Sequence, residues 1–136
     1  RPSIMSTIKA NTLLHSDGST TTQPSIPALD KRMAKAWVNF NGATMAVGES
    51  YNVSSVSDLA VGFYGINFQT AMTGANYTIA SNSIATIDTG GQSIDLTTCL
   101  INNSSQMYAF GRRLDNDAPS FGIYDCAYIS AVVYEN

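Results

Sequence analysis

From Trp37 onward, apolar residues recur at every second position. Val38 and Phe40 fall on one side of a first short run, with Trp37 and Asn39 on the other. Side chains along a strand alternate between its two faces, so this period predicts strands with one buried side. Asn41-Gly42 follows, the dipeptide that most often closes a two-residue hairpin; residues 43–47 are expected to pair back and Gly48 to end them. Tyr51 and Val53 alternate with polar neighbours, and Tyr64, Ile66 and Phe68 line one face of a longer strand. Thr73–Asn76 reads as a turn, with Tyr77 and Ile79 the next inward pair. Gly90-Gly91 breaks the chain before 92–101, and Met107 and Ala109 then alternate with Tyr108 and Phe110.

The last run has Ala127, Ile129, Ala131 and Val133 on one side and Tyr128, Ser130, Val132 and Tyr134 on the other. Both sides being fairly apolar, this strand is expected to be central or covered by a neighbour. Seven or eight short strands with Gly and Asn turns, in about 100 residues, predict an all-β fold over 37–136. Its expected form is an antiparallel β-sandwich, jelly-roll-like or Ig-like.

Upstream the pattern changes. Residues 1–25 are mostly polar, with Asp17-Gly18 as a turn signal and a Ser/Thr run behind it. They read as an extended N-terminal arm, ordered against partners. Residues 26–36 are expected to form one short helix, with Ser25 as N-cap and Pro27 in the first turn. Asp30 lies near its positive end, and Lys31, Arg32 and Lys35 near its negative end. Ile26, Leu29, Met33 and Ala36 make a narrow stripe suited to packing against copies of itself.

Composition sharpens this picture. Charged residues are only 12% of the chain, and Asn, Ser, Thr and Gly carry its polarity, which suits turns and strands. The net charge of −3 is unevenly spread. Residues 1–35 hold five Lys and Arg against two Asp; residues 36–136 hold two Arg against eight acids. A basic arm on an acidic body points to contact with something acidic, such as a neighbouring subunit. Five scattered positives without interleaved aromatics make a poor phosphate track, so nucleic acid is not an expected partner. No apolar run approaches the roughly 20 residues that a helical membrane span requires.

Candidate chemistry is sparse. Every Ser–His–Asp or Cys–His arrangement would depend on His15, the single histidine, which sits in the polar arm. Neither a dinucleotide nor a P-loop fingerprint occurs. Most acids lie in turn contexts (Asp58, Asp88, Asp115, Asp117), where Asp caps its own backbone. Asp115-Asn116-Asp117 has the start of a calcium loop without its glycine or closing glutamate, so it reads as a surface turn. Cys99 and Cys126 lack metal-site spacing and read as buried thiols, or as a disulfide if their strands lie side by side. Asn52, Asn76 and Asn102 stand in Asn-x-Ser/Thr sequons and read as polar strand and loop residues. No catalytic residue, metal or cofactor is expected. Tyr108, Tyr124, Tyr128 and Tyr134 gather near Asn102, Asn103, Arg112 and Asp125, a composition that binding surfaces and subunit interfaces share.

Three stretches stand out as motifs: Ala36-Trp37-Val38-Asn39-Phe40-Asn41-Gly42, Ser50-Tyr51-Asn52-Val53-Ser54-Ser55-Val56, and Tyr64-Gly65-Ile66-Asn67-Phe68 with Ala71-Met72 and Ala75-Asn76-Tyr77 behind. Together they resemble a module of tail-fibre and related virion proteins of marine phages. Met5-Ser6-Thr7-Ile8-Lys9-Ala10-Asn11-Thr12-Leu13 is similar to the short opening of such proteins, and residues 81–125 match in character only. At Leu59-Ala60 and Phe63 the chain departs from the pattern by adding apolar surface, which marks that loop as an interface candidate.

The resemblance implies a non-enzymatic virion structural protein, a tail fibre or fibre tip acting in host attachment. Its implied partners are copies of itself in a homotrimer, other virion proteins of tail or capsid, and host cell-surface glycan. It would be assembled in the host cytoplasm, without membrane insertion. A capsid decoration or cement subunit is the first alternative, and a carbohydrate-binding lectin-like module the second. Arm docking is assigned to Lys9, Leu13, Leu14 and His15, and the oligomer helix to Ile26, Leu29 and Met33. Receptor contact is assigned to Asn102, Asn103, Arg112, Asp115, Asn116 and Asp117.

Overall fold

The computed structural model describes residues 9–12, 14–19, 29, 32–84, 94–114 and 121–135. The chain divides into two units, Arg1–Asp30 and Lys31–Asn136. In the first, the expected Asp17-Gly18 turn is present. The Gly18 N–H donates to His15 O at 2.8 Å, the Ser19 N–H donates to Asp17 Oδ1 at 2.7 Å, and Gly18 has φ 77°.

The second unit is all-β and antiparallel. Its strands are β1 (Ala36–Phe40), β2 (Val47–Tyr51), β3 (Val53–Ala60), β4 (Phe63–Phe68), β5 (Tyr77–Ile84), β6 (Ile94–Asn103), β7 (Gln106–Leu114), β8 (Phe121–Ile123) and β9 (Tyr128–Glu135). They form two sheets. Sheet A has the order β2-β1-β9-β5, and sheet B the order β3-β4-β7-β6. β8 also pairs with β7; since β6 holds one edge of β7, β8 continues the line of β4 along the other.

The predicted alternation is what builds the core. Val38, Phe40, Tyr64, Ile66, Phe68, Tyr77, Met107, Ala109, Ile129, Ala131 and Val133 are buried, drawn from both sheets. Phe40 of sheet A meets Tyr64 of sheet B edge-on at 5.3 Å, and Phe68 meets Tyr77 at 5.6 Å. Such aromatic pairs add about 0.5–1.5 kcal/mol each beyond area burial. β9 lies between β1 and β5, the central place its two-sided apolar pattern predicts.

Two expectations are corrected. Residues 43–47 do not pair back as a block, and Gly48 lies inside β2 rather than ending a strand. The Asn41 side chain closes a six-residue loop instead, with Oδ1 accepting from the Ala43 and Thr44 N–H groups at 2.9 Å each. The Asn41 N–H donates to Ala46 O at 2.9 Å. The helix expected over 26–36 also fails at its end. Leu29 has helical geometry, but Arg32–Lys35 lie in turn and bend, and Ala36 opens β1. The Lys35 N–H already donates to Val133 O, so sheet pairing takes the backbone that the helix would have used. Ile26 and the rest of that span lie outside the described residues.

Asn52 turns the chain from sheet A to sheet B, so Tyr51 and Val53 belong to different strands. Its φ of 53° is left-handed, a conformation that Asn tolerates better than most side chains. Its Nδ2 donates to Lys35 O and Thr70 O at 3.0 Å each, and its Oδ1 accepts from the Thr70 N–H at 2.7 Å. One amide therefore ties three segments together. At the far end of β9, Glu135 Oε1 accepts from the Thr73 N–H at 2.6 Å and from Thr73 Oγ1 at 2.5 Å, holding the β4–β5 turn.

Two buried phenols give the fold an alkaline limit. The Tyr77 hydroxyl lies 3.0 Å from both Asn103 O and Gln106 O, and burial pushes its pKa up to about 12. Burial, then the hydrogen bond to Asp125, raises Tyr64 further. A raised pKa stabilises the fold fully below the ordinary phenol pKa, and that contribution is lost as pH climbs towards the folded value. Stability is therefore expected to fall from about pH 10 to about pH 12, by up to about 1.4 kcal/mol per pH unit for each phenol. Tyrosinate absorbance of Tyr64 and Tyr77 should rise together with loss of the far-ultraviolet β signal. Ionisation of both while the sheets persist would contradict this.

Candidate functional site

Because Tyr64, Ile66 and Phe68 point into the core, Phe63, Gly65 and Asn67 point outward on sheet B. By register the same outer face takes Gln106, Tyr108, Phe110 and Arg112 from β7, and Leu100 from β6. It also takes Ser55 and Ser57 from β3, with Leu59 folded over Gly65, and Ile123 of β8 opposite Arg112.

This face has two zones. In the first, Phe63 and Phe110 stack at 4.5 Å with planes 9° apart, and Tyr108 meets Phe63 edge-on at 5.1 Å. The phenylalanine rings spend faces on each other, so together they stand as a ridge. Exposed Leu59, Leu100 and Ile123 flank it, and Val61, 63% exposed, crowns the β3–β4 turn. The rings of Phe63, Tyr108 and Phe110 are themselves partly exposed, so this zone of the face is mainly apolar.

The second zone is a polar row crossing all four strands. Asn102 Nδ2 donates to Gln106 Oε1 at 2.6 Å, and Gln106 Nε2 donates to Asn67 Oδ1 at 2.7 Å. Asn67 Nδ2 then donates to Ser55 Oγ at 3.0 Å and Ser57 Oγ at 3.4 Å. Every amide donates towards β3, so the row has a direction. Arg112 is the one charged side chain that register places on this face among the described residues.

The outer face of sheet A differs. Tyr51, Trp37, Val132 and Ala80 lie directly opposite one another across its four strands. Beside them runs Glu49, Asn39, Ser130 and Asn82, with Asn39 Nδ2 donating to Ser130 Oγ at 3.1 Å. Tyr128 and Tyr134 are exposed on β9.

The residues assigned from sequence to receptor contact do not form one site. Asn102 and Asn103 sit at the β6–β7 hairpin, whereas Arg112 lies six residues along β7, about 20 Å away. Asn103 is also spent on that hairpin, its Oδ1 accepting from the Ser105 N–H at 2.8 Å. Asp115, Asn116 and Asp117 lie outside the described residues. Of the arm-docking set, Lys9 and Leu14 are exposed, His15 Nδ1 lies 3.0 Å from Asp17 Oδ1, and Leu13 is outside the described residues. Leu29 and Met33 of the proposed oligomer helix are exposed. No disulfide joins the cysteines: Cys126 is buried, and burial raises the pKa of Cys99.

No family model, curated protein or solved structure matches the chain. Among the described residues no group of three or more His, Cys, Asp and Glu could hold a metal ion, and no helix is long and apolar enough to cross a membrane.

Sequence reasoning missed the row, although it singled out Asn102. The signal was present as outward-facing polar residues on four strands, but only register reveals that they line up.

Proposed function

We propose that the protein is a non-enzymatic structural module of a virus particle, a tail-fibre or fibre-tip component acting in host attachment. The observation that carries this reading is the outer face of sheet B. An apolar ridge beside which register places Arg112 as the one charged side chain among the described residues has the make-up of a protein contact surface. In this reading the two sheets form a β-sandwich of the jelly-roll-like or Ig-like kind. Sheet B serves assembly into a homotrimer, and residues 1–25 form the arm that docks on other virion proteins. Sheet A, with exposed tyrosines beside an amide and hydroxyl row, is then left to meet a host-surface glycan.

Antibodies raised against the purified chain test this on virus particles from its source culture. Gold label at the tail tip is the expected result. Label spread over the capsid would replace it with the decoration-subunit reading, and absence of the chain from purified particles would overturn a virion role.

A further inference from the structure

We infer that β5 and β6 enclose a hydration site, where ordered water binds the buried hydroxyls of Ser83 and Thr97 and links sheet A to sheet B. The site is separate from both outer faces and does not depend on the assembly reading above.

The two sheets meet side by side along β5 and β6. At one end the Tyr77 hydroxyl lies 3.0 Å from Asn103 O, and further along the Ser81 hydroxyl donates to Thr97 O at 3.4 Å. By register the inward positions of β5 are Tyr77, Ile79, Ser81 and Ser83, and those of β6 are Thr97, Cys99 and Ile101. The lining therefore changes along this seam. Tyr77, Ile79 and Ile101 make one end apolar, whereas Ser81, Ser83, Thr97 and Cys99 make the other polar.

Two hydroxyls at the polar end have nothing to bond to. Ser83 is 6% exposed, and neither its Oγ nor the buried Thr97 Oγ1 has a hydrogen-bond partner among the described residues. Their neighbours across the ladders supply none, since Ser83 lies opposite Ile129 and Thr97 opposite Gly111. A hydroxyl buried without a partner is costly, and proteins meet that cost with bound water where the lining is polar. A buried water makes about three hydrogen bonds. Ser83 and Thr97 offer two of them, and Ser81, whose bond to Thr97 O is long, offers a third. Ser81 is exposed, so the polar end opens to solvent at its rim and gives water a way in. Neutral hydroxyls suit water better than an ion, and among the described residues no group of His, Cys, Asp and Glu could hold a metal.

A high-resolution crystal structure of the full chain is the direct test. Ordered water within about 3.2 Å of each hydroxyl is the expected result. Either hydroxyl lacking such a water, or bonded to a protein group instead, overturns the inference. Thr97→Val gives an independent reading in solution, because it nearly keeps the shape and removes the hydroxyl. Thr98→Val, on the exposed side of the same strand, supplies the background for that exchange. Loss of a water-mediated bond should lower the urea midpoint by roughly 0.5 M relative to this control. A midpoint equal to the control or above it would mean that the hydroxyl is unpaired in the wild type, and would overturn the site.

Discussion

Gly62→Ala is expected to lower folding stability by about 3–5 kcal/mol, a large part of what holds a domain of this size together. Gly62 has φ +62°, where an alanine costs roughly 1–2 kcal/mol. A Cβ there would lie 2.6 Å from Ile123 Cγ2, 2.7 Å from Tyr124 O and 2.9 Å from Gly111 O. Two of those neighbours are backbone and cannot swing aside, so overpacking adds about 1–3 kcal/mol. The Gly62 N–H donates to Asp125 Oδ1 at 2.7 Å and the Tyr64 hydroxyl to the same oxygen at 2.9 Å, so displacing the turn disturbs a buried phenol as well. Gly74→Ala is the control, since its Cβ would meet nothing within 4 Å. Urea denaturation of both variants checks the contrast. Equal effects would show that the junction of Gly62 with segment 124–126 yields more readily than its contacts indicate.

Asn52→Ala should cost about 3 kcal/mol. It removes three hydrogen bonds worth about 0.5–1.5 kcal/mol each and puts an alanine at a left-handed φ. Asn52→Gly should recover about 1 kcal/mol of the backbone part but none of the bonds. Urea midpoints ordered wild type, Gly, Ala support this. If Gly matched the wild type, the ties to Lys35 and Thr70 would contribute nothing to stability.

The inward faces were legible in sequence because a period of two needs no knowledge of partners. Val38 with Phe40, and Tyr64 with Ile66 and Phe68, could be read directly. The loop after β1 was not, because Asn41-Gly42 carries a local hairpin signal and the deciding contact is long-range. A Cβ at Gly42 would run into the Tyr64 hydroxyl and lie 2.8 Å from Cys126 O, and the Gly42 N–H donates to that same oxygen. The dipeptide was recognised, but its glycine answers to crowding from residues far along the chain. The helix misled at Arg32–Lys35 because propensity is a weak prior and pairing with β9 outweighs it. At the candidate site, the surplus apolar surface at Leu59, Ala60 and Phe63 stood out in sequence. The direction of the polar row did not, since it depends on the registers of β3, β4, β7 and β6.

The position of β9 also sets when the molecule can form. Sheet A joins Asn39 to Ser130 across 91 residues, and β9 is the strand that holds β1 beside β5. A growing chain at about 5–20 residues per second therefore waits on the order of 5–20 s after β1 emerges before that sheet can close. During that interval β1 and β5 lack their shared partner and have unpaired edges. Folding is then a late event governed by distant pairing, and in the test tube it should be slow, in the millisecond-to-second range of β-rich domains.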